Sequence, residues 1–134
     1  MDWRRPLRAT RKTVEVARRL HDLETVTYDG KFVTLDDAQI QVPHGPSNEP
    51  RTTEVYVGAK RQKMLELTGH HADGCILNHL VTPADNERAL AAIERGADRA
   101  GRSLDDVRRL QIGYCSLDDN PDVALDRMRR FIAQ

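Results

Sequence analysis

The stretch that decides the fold class is residues 55–83, which read VYVGAKRQKMLELTGHHADGCILNHLVTP. A short apolar run, residues 54–59, ends at Gly58-Ala59 and passes into a helical pattern from Lys60 to about His70. A second apolar run, residues 74–80, is followed by Thr82-Pro83, an N-cap and first-turn pair. Apolar runs of this length separated by helices predict buried strands of a parallel sheet.

The same alternation continues downstream. We predict that the helix opened by Thr82-Pro83 stops at Gly101, that residues 109–117 form a third strand, and that Asn120-Pro121 begins a last helix. The order from residue 54 onward is therefore β-α-β-α-β-α, which implies a parallel sheet with right-handed crossovers. We expect adjacent strands near residues 54–58, 74–79 and 109–116, with four side chains buried: Val57, Ile76, Leu77 and Ile112.

Upstream of the quoted stretch the patterns change. Pro6 to about His21 reads as a helix with an apolar face. Asp29-Gly30 separates two β-rich runs, Thr25–Tyr28 and Lys31–Leu35, which predicts a hairpin. Residues 41–52 hold three prolines and read as an irregular connection.

Composition bounds the function classes. The chain has 134 residues and 15.2 kDa, the size of one domain. It holds no run of about 20 apolar residues that would span a membrane, and the N-terminus lacks the apolar segment of a signal peptide. Lys+Arg and Asp+Glu are both 21, so no basic surface favours nucleic acid. Cys75 and Cys115 lie in apolar runs without ligand spacing, which predicts buried free thiols in a reducing cytoplasm.

The carboxyl ends of the predicted strands are where a parallel α/β fold binds ligands. At the first of these ends, Gly58-Ala59 offers backbone N–H groups at a helix N-terminus, and Lys60 and Arg61 add positive charge. A helix N-terminus favours anions, so the pattern indicates a phosphate site. The alternative is that the glycine serves only the steric needs of a strand-to-helix turn.

Polar residues also end the second strand. Asn78 and His79 are candidates for ligand contact, and the alternative is that they satisfy loop backbone groups. His70 and His71 are adjacent rather than four apart, so we interpret them as partners of the last helix carbonyls and assign no metal site. The paired carboxylates read as caps or solvated turns, and the residues assign no catalytic base.

The quoted stretch resembles the bacterial-luciferase-like flavin-dependent oxidoreductases, in particular their deazaflavin-dependent reductases, and the flanking segments extend the similarity over essentially the whole chain. In one departure, Lys60-Arg61-Gln62 stands where the family commonly has Leu-Gly-Pro, so a glycine for close backbone approach is missing and two cations are added. The motifs that carry the resemblance are Val57-Gly58-Ala59, Lys63-Met64-Leu65, Ala72-Asp73-Gly74, Ile76-Leu77-Asn78 and Thr82-Pro83.

The resemblance implies an α/β fold in which residues 1–134 form one domain, the middle-to-late part of a (β/α)₈ barrel. This partial TIM-type barrel has about three parallel strands flanked by helices, an N-terminal helix and a β-hairpin insertion. The implied function is that of a cytoplasmic flavin- or deazaflavin-dependent oxidoreductase or monooxygenase acting on a small molecule. The alternative is a non-catalytic barrel fragment that serves as an interaction module.

The resemblance also implies a cofactor, FMN or a deazaflavin of the coenzyme F420 type, and this chain would bind its phosphate side chain. We expect six residues to contribute: Gly58, Ala59, Lys60, Arg61, Asn78 and His79.

A partial barrel leaves two sheet edges unpaired and one sheet face uncovered. We therefore predict a homo-oligomer, a complementing barrel half from another chain, or marginal stability, with no nucleic-acid or membrane partner. The apolar residues expected to stay partly exposed come from Val55, Val57, Cys75, Leu77, Ile112 and Tyr114, depending on strand register.

Overall fold

The helices and strands follow the predicted order. The computed structural model describes residues 5–40, 53–77 and 82–133. In chain order the elements are α1 (Pro6–His21), β1 (Val26–Asp29), β2 (Thr34–Ala38), β3 (Tyr56–Ala59), α2 (Gln62–His71), β4 (Gly74–Leu77), α3 (Pro83–Arg99), a 3₁₀ turn (Leu104–Asp106), β5 (Arg108–Gln111) and α4 (Pro121–Ile132).

Strands β3, β4 and β5 form one parallel sheet in that order, as predicted. Ala59 pairs with Leu77, and Leu77 pairs with Gln111, so the carboxyl ends of the three strands lie along one edge. Strands β1 and β2 form a separate antiparallel hairpin. The sheet therefore presents the β3–α2 turn at the edge where α/β folds bind ligands.

One face of the sheet is packed against α2 and α3. Ala59, Cys75 and Leu77 are buried there in a cluster with residues of α2 and α3 such as Leu65 and Ile93. The opposite face, which we call the open face, carries the alternate residues Tyr56, Gly58, Ile76, Arg108 and Leu110.

Helix α1 packs beside β3 and runs from the carboxyl edge of the sheet towards its amino edge. Val14 clusters with Val57 and Ala72, while Arg18 forms an ion pair of 2.7 Å with Asp73, the residue before β4. The second carboxylate oxygen of Asp73 accepts the Val55 N–H at 2.8 Å. A single carboxylate thus ties α1 to the chain entering β3.

The hairpin and the last strand differ from the predictions. The second hairpin strand is residues 34–38 rather than 31–35, because the Gly30 N–H donates to the Val33 carbonyl and the turn is longer than two residues. Strand β5 ends at Gln111 rather than Leu117.

Several burial predictions are also wrong. Ile112 is 44% exposed, Ile76 is only half-buried, and Cys115 is exposed. The reason is the strand register. Ile76 lies on the open face of the sheet. Ile112 follows β5 and continues the alternation of Arg108 and Leu110, so it lies on the same face, and no described element covers it there. The predicted burial of Val57 and Leu77 is confirmed: with Cys75 they face the helices, so the strand register excludes these three from the residues that stay partly exposed. The predicted connection 41–52 lies outside the described residues.

Candidate functional site

The turn from β3 to α2 brings together four of the six predicted site residues, Gly58 to Arg61. Ala59 is buried against the helices, whereas Gly58, Lys60 and Arg61 are exposed at the carboxyl edge of the sheet. A Cβ added at Gly58 would meet no atom within 4 Å. The backbone at Gly58 is therefore accessible from the open face.

The N-terminus of α2 has no hydrogen bond from a capping side chain. Arg61 is the N-cap in extended conformation, and its carbonyl accepts the N–H groups of Met64 and Leu65 at 2.9 and 3.0 Å. No side chain caps the helix, and its first turn holds no acidic residue. The N–H groups of Gln62 and Lys63, which precede the first of these hydrogen bonds, are available to an external acceptor.

The other two helices that follow strands are capped internally. Thr82 and Asp85 form a reciprocal capping box at α3, and the Asn120 side chain accepts the Asp122 N–H at 3.0 Å at α4. The uncapped N-terminus of α2 is thus unlike those of α3 and α4. Two cations flank it, and neither Lys60 nor Arg61 forms an ion pair with any residue that the structure describes.

The other two predicted site residues follow β4. Asn78 and His79 lie outside the described residues, so their role stays a prediction. The segment after β5 is held by internal contacts: Asp118 accepts the Asn120 N–H at 3.0 Å and pairs with Arg127 at 2.8 Å. These contacts agree with the interpretation of the Asp118-Asp119 pair as part of a turn.

Sequence reasoning missed a polar cluster on the open face. The Tyr56 hydroxyl donates to Glu54 at 2.6 Å, Arg108 pairs with Glu54 at 3.2 Å, and the Tyr56 ring lies where a side chain at Gly74 would stand. The hydrogen bond to Glu54 raises the pKa of Tyr56 above its usual value. The period-two spacing of Glu54, Tyr56 and Gly58 is the signal that could have found this cluster.

A cavity of about 390 Å³ lies between α1 and β3, next to the same turn. Its walls are mostly apolar, from Ala9 and Val14 on α1 to Val57 and Gly58 on β3. The volume falls within the range of small-molecule sites, about 300–1,000 Å³. The β3–α2 turn therefore adjoins both a cationic helix N-terminus and an apolar hollow.

Among the described residues, no helix is long and apolar enough to cross a bilayer. In that same part of the chain, no group of three or more His, Cys, Asp or Glu side chains is placed to hold a metal ion.

The sequence model of the luciferase-like monooxygenase family matches residues 1–134 of this chain. This chain belongs to the luciferase-like monooxygenase family. The match confirms the resemblance that the motifs between Val57 and Pro83 indicated.

Two curated relatives of this family member are similar over most of its length. The 5,10-methylenetetrahydromethanopterin reductase of Archaeoglobus fulgidus is 30% identical over 98% of the chain. The F420-dependent glucose-6-phosphate dehydrogenase of Kribbella flavida is 32% identical over 89% of the chain. The chain spans only 37% and 34% of the lengths of these two relatives.

A solved structure supports the fold. The coenzyme F420 dependent tetrahydromethanopterin reductase of Methanopyrus kandleri superimposes with a TM-score of 0.74 and 32% identity. The match covers 90% of this chain and 34% of that structure. This family member therefore has the fold of about one third of a TIM-type barrel.

Proposed function

We propose that this chain is part of a deazaflavin-dependent oxidoreductase and that its β3–α2 turn binds the phosphate of a coenzyme F420-type cofactor. The observation that carries the proposal is the uncapped N-terminus of α2, which stands between exposed Lys60 and Arg61 and the accessible backbone of Gly58. A phosphate group at that point would accept backbone N–H groups and be neutralised by two cations.

The names of the relatives support a deazaflavin-type cofactor. The relatives include proteins named F420-dependent, and the matched solved structure is coenzyme F420 dependent. When bound, such a cofactor supplies hydride transfer to or from a small-molecule substrate, while the protein binds, orients and shields it. Within this chain, Lys60 and Arg61 neutralise the phosphate, the first turn of α2 orients it, and Gly58 lets the cofactor approach the backbone.

The rest of the pocket requires protein beyond these residues. The chain spans about a third of the length of its curated relatives. On the open face of the sheet, Leu110 is 46% exposed. We propose that a complementing barrel segment or another copy of the chain covers this face and completes the substrate pocket. In this proposal, the substrate pocket is formed jointly by this chain and that second component.

The test is a fluorescence titration of the chain with coenzyme F420 and, separately, with FMN. We expect F420 to bind, and the combined Lys60→Ala, Arg61→Ala variant to lose about tenfold or more in affinity because two charge-assisted contacts are removed. The matched control is the combined Arg19→Ala, Arg130→Ala variant, which also loses two positive charges, at the C-terminal ends of α1 and α4. This variant should bind F420 as the wild type does.

The alternatives have distinct outcomes. Unchanged F420 affinity in the Lys60 and Arg61 variant would show that the phosphate lies elsewhere. Tighter binding of FMN than of F420 would overturn the cofactor class. Binding of neither cofactor at millimolar concentration would favour the non-catalytic interaction module.

A further inference from the structure

Two adjacent histidines at the C-terminal end of α2 have stacked rings. The ring centroids of His70 and His71 are 4.2 Å apart, and both residues are half-buried. The Nδ1 atom of His70 is fully buried and has no hydrogen-bond partner among the described residues. Because a charged imidazole has two N–H donors, protonation of this ring leaves a buried donor unsatisfied, which costs free energy.

The end of α2 already has a positive charge beside its carbonyls. C-terminal carbonyls of a helix favour a nearby cation, and the position of the two histidines indicated this role for them. In the structure, the Arg102 guanidinium donates to the carbonyls of Gly69 and Ala72, at 3.2 and 2.8 Å. The helix end therefore offers little further stabilisation to a charged histidine.

The neighbouring part of α1 carries more positive than negative charge. Arg11 and Lys12 share one carboxylate, that of Glu15, at 3.6 and 2.6 Å. Arg18 pairs with Asp73 at 2.7 Å. Three cations thus meet two carboxylates, and both carboxylates are already paired.

These surroundings disfavour a charged ring at His71. Burial and then the neighbouring His70 ring lower the pKa of His71 below its usual 6.5. On α1, Arg11 and Arg18 lower the same pKa further, and Glu15 opposes them. Because the folded-state pKa is the lower one, a released ring binds protons more tightly, so release becomes more favourable as pH falls below about 6.5.

Among the described residues where α1 meets α2, the histidines are the groups that change charge between about pH 7.5 and 5.5. The hydrogen bond from Lys12 holds the pKa of Glu15 below its usual 4.5. Burial would raise the pKa of Asp73, but the Val55 N–H and Arg18 hold it below 3.8. The lysine and the arginines stay protonated throughout this range.

We propose that the pair of His70 and His71 is a pH-sensitive contact, and that its protonation in mild acid loosens α1 from α2. Charging the rings adds to the excess of positive charge and leaves the buried nitrogen of His70 without an acceptor. Helix α1 also lines the cavity beside the β3–α2 turn, so its release opens one wall of that cavity. The inference does not rest on the proposed cofactor.

Hydrogen exchange of the backbone amides at pH 7.5 and pH 5.5, corrected for the intrinsic exchange rates, tests the proposal. We expect the amides of residues 13–18 in α1 to lose protection by roughly fivefold to tenfold at the lower pH, because a released imidazole is protonated about ten to one at that pH. The amides of α3 should keep their protection.

Three variants assign the effect. The combined His70→Gln, His71→Gln variant keeps polar side chains that stay uncharged, so the protection of α1 should no longer depend on pH in this range. Glu15→Gln should make α1 more sensitive to acid, because it removes the carboxylate that opposes the lowering of the pKa of His71. The matched control is His21→Gln at the end of α1, which should respond to acid as the wild type does. Circular dichroism at pH 7.5 confirms that each variant retains its helices.

Three results would overturn the proposal. Equal protection of α1 at both pH values would show that the pair does not respond to protons. An undiminished loss in the double variant would assign the effect to another group. A loss shared equally by α1 and α3 would indicate unfolding of the whole chain rather than release of α1.

Discussion

At the scale of single residues, Asp73 has the most consequential contacts outside the proposed site. Its carboxylate accepts hydrogen bonds from Arg18 and from the Val55 N–H, at 2.7 and 2.8 Å. Its backbone also accepts the Arg108 N–H at 2.8 Å. One residue therefore connects α1, the entry to β3, and β5. The sequence marked Asp73 as part of a motif, but the long-range partner Arg18 was not predictable without the fold.

Asp73→Asn should lower stability in a pH-dependent way. Burial alone would raise the pKa of Asp73, but the Val55 N–H and the Arg18 guanidinium hold it below the usual 3.8. Because the folded-state pKa is the lower one, the carboxylate stabilises the fold fully above about pH 4 and progressively less as pH falls through the folded-state value. We expect a loss of roughly 1–2 kcal/mol in unfolding free energy at pH 7, since both partners are partly exposed.

Urea denaturation of wild type and variant at pH 7 and at pH 3 measures this effect. The difference in unfolding free energy should shrink at the lower pH. Asp98→Asn, an exposed aspartate on α3, is the control and should change little at either pH. A difference that stays constant between the two pH values would contradict the assigned role.

At the scale of elements, the sequence predicted helices better than strands. The start of α1 at Pro6, the capping of α3 by Thr82 and the start of α4 at Pro121 were all predicted, because each depends on local residue chemistry. Gly101 has the left-handed φ of +67° that ends a helix, as expected. Strand limits depend on hydrogen bonds to other segments, so the ends of β2 and β5 were predicted wrongly.

The crossing of α2 and α3 was missed because it depends on two distant glycines. A Cβ at Gly96 would collide with the Glu66 backbone, and one at Gly69 would collide with the Ile93 carbonyl. Arg95 and Arg99 both reach the Glu66 carboxylate across this crossing, at 3.3 and 3.0 Å. Close backbone approach thus sets the distance between the two helices.

Gly96→Ala should therefore destabilise the protein, although alanine is the better helix former by about 1 kcal/mol. We expect a net loss of about 1–3 kcal/mol in unfolding free energy, because the two helices must separate to accept the methyl group. Urea denaturation measures it. Gly113→Ala is the matched control: a Cβ there meets no atom within 4 Å, so stability should be unchanged. An increase in stability for Gly96→Ala would show that the helices do not pack this closely.

At the scale of the whole molecule, sequence reasoning found the family and the parallel sheet but not which sheet face is covered. The residue types of Val57, Cys75, Leu77 and Ile112 are all apolar, and only the strand register and the helix positions separate the buried ones from the exposed one. Gly58 to Arg61 lie at the β3–α2 turn, as consecutive residues must, and their part in cofactor binding stays a prediction. The exposure of Leu125 and Ile132 on α4 was not predicted, because an amphipathic helix pattern does not reveal whether a partner element is present.

The central claim is that the β3–α2 turn holds the phosphate of a deazaflavin cofactor. Its most direct test is an NMR titration of ¹⁵N-labelled chain with coenzyme F420, following the backbone amides. We expect the largest shifts at Lys60, Arg61, Gln62 and Lys63, whose N–H groups lie nearest the proposed phosphate, and small changes at the capped first turn of α3. Shifts concentrated at the first turn of α3, or no shift at the β3–α2 turn while F420 binds, would contradict the account.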